Sequence, residues 1–304
     1  MKTAIRAFPG LFLVGLLAGC ASLGTGSILG TVTDIATDPN KSAAVVQTVQ
    51  AVQTASQEIT PEQEYYIGRA VAANILGTRK VWNDPNATTY LNVLERTLSL
   101  YSDRPETYGG YHLLIMDTDE INAFSAPGGL ILVSRGLLRC ATNEDMVAAI
   151  LAHETSHVVL KHGLKAISTA RWTAAVQAGG NALVQVAGSE QAKQLTSVFK
   201  DSINDITNTM VNSGYSRELE FQADQMALVI MRRAGYDPRA FDDMLNIMKT
   251  KLKPGGADFA KTHPDPKDRA AAVEKALAGK PPVTVTPTAA AARQARYQAA
   301  LGAI

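Results

Sequence analysis

The sequence predicts an α+β fold, mainly helical with one small β-sheet, and three observations predict it. Apolar residues after Asn143 recur at helical spacing. Two β-type runs, residues 111–116 and Leu130–Ser134, lie on either side of a Pro127-Gly128-Gly129 turn and form the only plausible sheet. With 304 residues, 46% of them hydrophobic, the chain can bury one sizeable core and at most a small appendage. Helices laid against a short sheet are the simplest packing for such a set. Formal net charge is +1, from 29 basic and 28 acidic residues, and no basic stripe interleaves with aromatics. Nucleic acid is therefore set aside as a partner.

From the N-terminus, the first element is a targeting segment. Lys2 and Arg6 precede an apolar stretch over residues 11–17, and small Ala18 and Gly19 lead into Cys20. The stretch is too short to span a membrane and has the anatomy of a secretory signal. Leu17-Ala18-Gly19-Cys20 resembles the bacterial lipobox, which makes residues 1–19 a lipoprotein signal peptide and Cys20 the lipidated first residue of the mature chain. Ala21, where Asp favours the inner membrane, points to the outer one. The expected location is a Gram-negative envelope, anchored by lipid and facing the periplasm. The only other cysteine, Cys140, then has no disulfide partner and no activating base nearby.

Residues 20–59 read as a tether, turning helical over 42–58 with Val45, Val49 and Val52 on one side. Thr60 as N-cap, Pro61 at the first helical position and Glu62 and Glu64 in the first turn start a helix that runs to Leu76. A second helix covers 87–100. Residues 167–213, rich in Ala, Gly, Gln, Val and Thr, form a helix pair or a mobile cover, with no apolar run long enough for a bilayer. After Gly279 come Pro281-Pro282 and an Ala-rich stretch, so 280–304 is expected to be a flexible tail.

His153-Glu154-Thr155-Ser156-His157 is an H-E-x-x-H motif. Thr142 and Asp145 are spaced as a capping box and Gly163 ends the run. Met146, Ile150, His153, His157 and Leu160 form one stripe of this helix, so the two imidazoles project together. Two nitrogens one turn apart suit a tetrahedral zinc, and Glu154 lies where it can take a proton from a water there. A catalytic zinc needs a third protein ligand. His162, five residues beyond His157, points away from the stripe, and the metzincin spacing falls on Gly163. Ser216 caps a later helix that ends near Arg232, Arg233 and Gly235, and Glu220 and Asp224 share a face of it. Alone they read as a solvated acidic edge. Beside His153 and His157, Glu220 becomes the better third ligand, with Asp224 accepting a ligand histidine's ring N–H.

These residues resemble the zinc metallopeptidase family of HtpX and the CAAX prenyl protease, especially its periplasmic lipoprotein branch (BepA-like and LoiP-like). Asn122-Ala123-Phe124, Pro127-Gly128-Gly129, Arg135-Gly136-Leu137-Leu138, Asn143-Glu144-Asp145, His153 to His157, Glu220-x-x-x-Asp224 and Thr262-His263-Pro264 with Arg269 follow the family pattern in order. The resemblance implies a gluzincin-type metalloprotease domain over 60–279. It implies one zinc per chain held by His153, His157 and Glu220, with Glu154 as general base and Asp224 in support. It differs from the membrane-embedded members in having no transmembrane helices, and from the BepA-like form in leaving no room for a helical-repeat domain after Gly279.

The function this implies is zinc-dependent cleavage of peptide bonds in envelope proteins, in outer-membrane protein quality control. The substrates are then unfolded or misassembled envelope proteins. The alternative is a non-catalytic, chaperone-like lipoprotein that binds unfolded outer-membrane proteins. For substrate contacts, Leu130, Ile131, Leu132 and Val133 form the strand expected to pair with an extended peptide, beside Asn122 and Phe124; a plain core hairpin is the competing reading. His263, placed in a rigid turn before Pro264, is expected either to stabilise the oxyanion or to reach the open metal position and latch the site.

Overall fold

The computed structural model describes residues 59–167, 199–252, 262–263 and 265–304; the signal segment, Cys20, the tether and residues 168–198 lie outside them. Helix α1 (Pro61–Leu76) starts where the sequence places it, with Thr60 and Gln63 exchanging backbone and side-chain hydrogen bonds at 3.0 and 3.2 Å. Helix α2 (Pro85–Leu100) starts two residues earlier than expected, because Asp84 is the cap. No described helix is long and apolar enough to cross a membrane.

The sheet has three strands where the sequence predicts two: β1 (His112–Met116), β2 (Ala123–Ala126) and β3 (Leu130–Ser134). Ala-Phe-Ser-Ala is too short and too small to stand out as a strand, yet it closes a tight hairpin with β3. Gly128 and Gly129, at φ +77° and +99°, make that turn, a conformation that would strain any other residue. The strand order is β1-β3-β2, with β3 parallel to β1 and antiparallel to β2. Its alternate residues serve two cores. Leu113, Ile115, Ile131 and Val133 join a cluster with Leu91, Leu98 and Ile150. Phe124 and Leu132 face Ile67, Val71, Ile75 and Ile203 on the other side. Each such side chain contributes about 1.5–3 kcal/mol by leaving water.

After the short α3 (Arg135–Leu138) comes α4 (Glu144–Val159), which carries the H-E-x-x-H motif and is buried along nearly its whole length. Its cap is Asn143, whose Oδ1 accepts from the Met146 N–H at 2.9 Å, and not Thr142, whose hydroxyl turns to Met146 Sδ. Nor does Gly163 end it. The helix stops at Val159, Lys161 turns the chain at φ 55°, and Gly163 lies inside α5 (His162–Lys165). Helix α6 (Lys200–Asn208) runs into a π-helical turn (Thr209–Ser213). Then come α7 (Arg217–Arg233), α8 (Arg239–Lys251) and α9 (Pro266–Leu277), with α7 and α8 lying against α4.

The tail is not loose over its whole length. Thr286 caps α10 (Pro287–Leu301), which docks on the start of α4. Arg293 pairs with Asp145 at 3.0 Å, the Arg296 guanidinium with Glu144, and Tyr297 donates to the Ala141 carbonyl at 2.8 Å. Composition hides this: three anchors at i, i+3 and i+4 sit in an otherwise Ala-rich run, and they complement the acidic first turn of α4.

Beneath the motif, Glu95 of α2 is fully buried and accepts from Thr155 Oγ1 at 2.8 Å. Burial pushes its carboxyl up to about 8, against the pull of the Thr155 hydroxyl. Between the ordinary 4.5 and that value the folded chain holds one more proton than the unfolded chain, so stability falls as pH rises. The amide in Glu95→Gln cannot ionise and avoids this loss, which amounts to about 1.4 kcal/mol for each pH unit crossed in that window. Thermal melts from pH 5 to pH 8 should therefore show the variant gaining on the wild type by a few kcal/mol. Parallel curves over that range contradict it.

Candidate metal centre

His153 and His157 stand one turn apart on α4, with their Nε2 atoms 3.1 Å apart. Helix α7 crosses α4 and brings Glu220 to them: Oε2 lies 3.5 Å from His153 Nε2 and Oε1 lies 3.5 Å from His157 Nε2. His263, in the turn before α9, places Nδ1 2.8 Å from Glu220 Oε2. All four are buried, with donor atoms within 4.8 Å of one another. Gly214, at φ +71°, helps to seat His263, because a Cβ there would meet the Thr262 carbonyl at 2.4 Å.

The donor set fits zinc. Ligand atoms about 2.0–2.2 Å from a common tetrahedral centre lie about 3.3–3.5 Å from each other, close to the spacing seen. Glu220 Oε1 is buried and accepts no hydrogen bond. With the histidines neutral, as they must be to ligate a metal, Glu154, Glu220 and Asp224 against Arg269 leave a formal excess of two negative charges in a buried space, a match for a divalent cation.

Behind the ligands, His153 Nδ1 lies 2.9 Å from Asp224 Oδ1, and Arg269 donates to both Asp224 oxygens at 3.0 and 2.6 Å. His157 Nδ1 faces His162 Nδ1 at 2.9 Å, and Tyr215 stacks on the His157 ring at 4.6 Å. Glu154 is buried and accepts from Ser125 Oγ of β2 at 2.7 Å. The sequence marked Arg269 only as part of a pattern and did not mark Ser125 or Tyr215. No local signal could have found them, since each reaches the site across tertiary contacts.

Electrostatics separate the two imidazoles. Burial and Arg269 push His153 down, but hydrogen bonds to Asp224 and Glu220 outweigh them and bring it up to about 9. Burial holds His157 well below its ordinary value, and it holds His162 down at about 4. Burial works against ionised Glu220, yet His263, His157 and His153 keep its carboxyl well below the usual range. The protein alone thus favours positive charge between the carboxylates.

The expected substrate contacts need correction. Strand β3 is the middle strand and spends both edges on β1 and β2, so Leu130–Val133 cannot pair with a peptide, and Ile131, Leu132 and Val133 are fully buried. Phe124 is a core residue on the α1 side of the sheet, under the Arg79 guanidinium. Asn122 is buried and accepts from the Ala123 N–H and Thr262 Oγ1, which ties the His263 turn to the start of β2. Strand order is a non-local choice, which is why the expected pairing of a peptide with β3 failed.

The sequence profile described as peptidase family M48 matches residues 88–277, more than half of the chain. The chain belongs to peptidase family M48. Its M48 span contains every site residue described above, whereas α1 and α10 lie outside it. M48 is a zinc-dependent metallopeptidase family. The β-barrel assembly-enhancing protease of Escherichia coli (strain K12) is 27% identical over 228 residues, 72% of this chain and 44% of that one. Mitochondrial metalloendopeptidase OMA1 of Arabidopsis thaliana is 30% identical over 162 residues, covering 52% and 30%. OMA1 of Schizosaccharomyces pombe is also 30% identical over 162 residues, covering 51% and 43%. The chain spans less than half the length of these M48 relatives.

Proposed function

We propose that this M48 chain is a zinc endopeptidase that cuts unfolded or misassembled proteins of a Gram-negative envelope. In this reading it works in outer-membrane protein quality control, held by lipid on Cys20 at the periplasmic face of the outer membrane. The carrying observation is the convergence of His153, His157 and Glu220 from two helices, with Glu154 one residue away. The name of the Escherichia coli relative supports the outer-membrane connection.

His153, His157 and Glu220 hold the metal in this reading, and Asp224 with Arg269 fixes the His153 ring. Bound zinc supplies a Lewis acid that polarises the scissile carbonyl and makes water more acidic. Glu154 takes a proton from the attacking water and delivers it to the leaving amine. Ser125 orients that carboxylate through Oε2. His263 serves either as a fourth metal group at rest or as an oxyanion donor, and its contact with Glu220 favours the first role.

For the substrate, β2 replaces β3. No described strand pairs with the outer edge of β2, and the strand carries the hydroxyl that contacts Glu154. An extended peptide added there would run past the base.

Cleavage of unfolded casein by the purified chain tests the reading. Activity should vanish with a zinc chelator and return with stoichiometric zinc. A chain that binds one zinc yet leaves casein intact would favour the chaperone-like alternative.

A further inference from the structure

His157 has a support unlike that of His153, and the difference is traceable to one residue. Had α4 continued as a helix, position 162 would point about 140° away from His157. Instead Lys161 adopts a left-handed conformation at φ 55°, one that a non-glycine residue rarely takes. That turn swings α5 back and lays the buried His162 ring behind His157, with the Nδ1 atoms 2.9 Å apart. Tyr215 closes the flat face of His157, so stacking and the contact at Nδ1 fix the back of the ring.

We infer that His162 is the positioning residue of His157, a neutral imidazole that accepts the ring N–H of a zinc ligand in the place where Asp224 does so for His153. The inference rests on the zinc reading above. Metal coordination through His157 Nε2 leaves that ring's proton on Nδ1. The atom 2.9 Å away must then accept, so the His162 proton sits on Nε2. A carboxylate in this position would raise the formal excess negative charge from two to three, beyond what one zinc ion balances. An uncharged acceptor fixes the ring without that cost.

Two measurements on the full chain test this. In the zinc-loaded wild type, long-range nitrogen–proton NMR of the histidine rings should show His157 protonated at Nδ1 and His162 protonated only at Nε2. Zinc affinity, read by competition with a chromophoric chelator, should fall about 10–100-fold in His162→Leu. His162→Gln, which keeps an acceptor, should recover most of it, with the melting temperatures of the two metal-free variants alike. A proton on His162 Nδ1, unchanged affinity in His162→Leu, or equal losses in both variants overturns the inference while leaving the zinc site standing. A wild-type chain that binds no zinc overturns the reading of the site and this inference with it.

Discussion

Glu154→Gln keeps one zinc per chain and loses turnover by about 10²–10⁴-fold in kcat. The amide has the same shape, and its oxygen can still accept from Ser125 Oγ, which lies 2.7 Å from the present carboxylate. The change also removes a buried negative charge, so the fold should not suffer. What disappears is the buried carboxylate next to His153 that this reading assigns to take the proton from water. A fluorogenic peptide assay with metal analysis of the same sample checks both halves. Wild-type turnover in the variant removes Glu154 as the base, whereas lost zinc shows that the carboxylate serves the metal instead.

Arg269→Met should destabilise the metal-free protein by about 3–5 kcal/mol. The guanidinium is about 1% exposed, grips both oxygens of Asp224 and lies 3.9 Å from Glu220. Methionine fills much of the space but leaves two buried carboxylates facing each other across His153. The cost comes from that uncompensated charge, not from lost packing, so Arg269→Met combined with Asp224→Asn should be more stable than Arg269→Met alone. Urea unfolding of the two variants measures this directly. A single variant within about 1 kcal/mol of the wild type would mean that solvent or rearrangement screens the site.

What the sequence made legible follows local periodicity. His153, His157 and Glu154 are fixed by one helical turn, and Glu220 and Asp224 by another, so each pair could be placed on a face before any tertiary structure was known. The caps at Thr60 and Ser216 are equally local. Features that depend on distant pairing were not legible. The middle position of β3 follows from its partners β1 and β2, and it turned the expected peptide-binding strand into core. The docking of α10 depends on Arg293, Arg296 and Tyr297 meeting Glu144, Asp145 and Ala141 from about 150 residues away. His162 was rejected as a ligand on the assumption of an unbroken helix, and a single left-handed residue brought it to the back of His157.

The central claim is that two imidazoles and one carboxylate from separate helices share one zinc ion. Anomalous diffraction recorded on either side of the zinc absorption edge from crystals of the zinc-loaded chain tests it most directly. A single peak is expected about 2.0–2.2 Å from His153 Nε2, His157 Nε2 and a Glu220 oxygen. A peak elsewhere, or one at the histidines with the Glu220 side chain turned away, would contradict it.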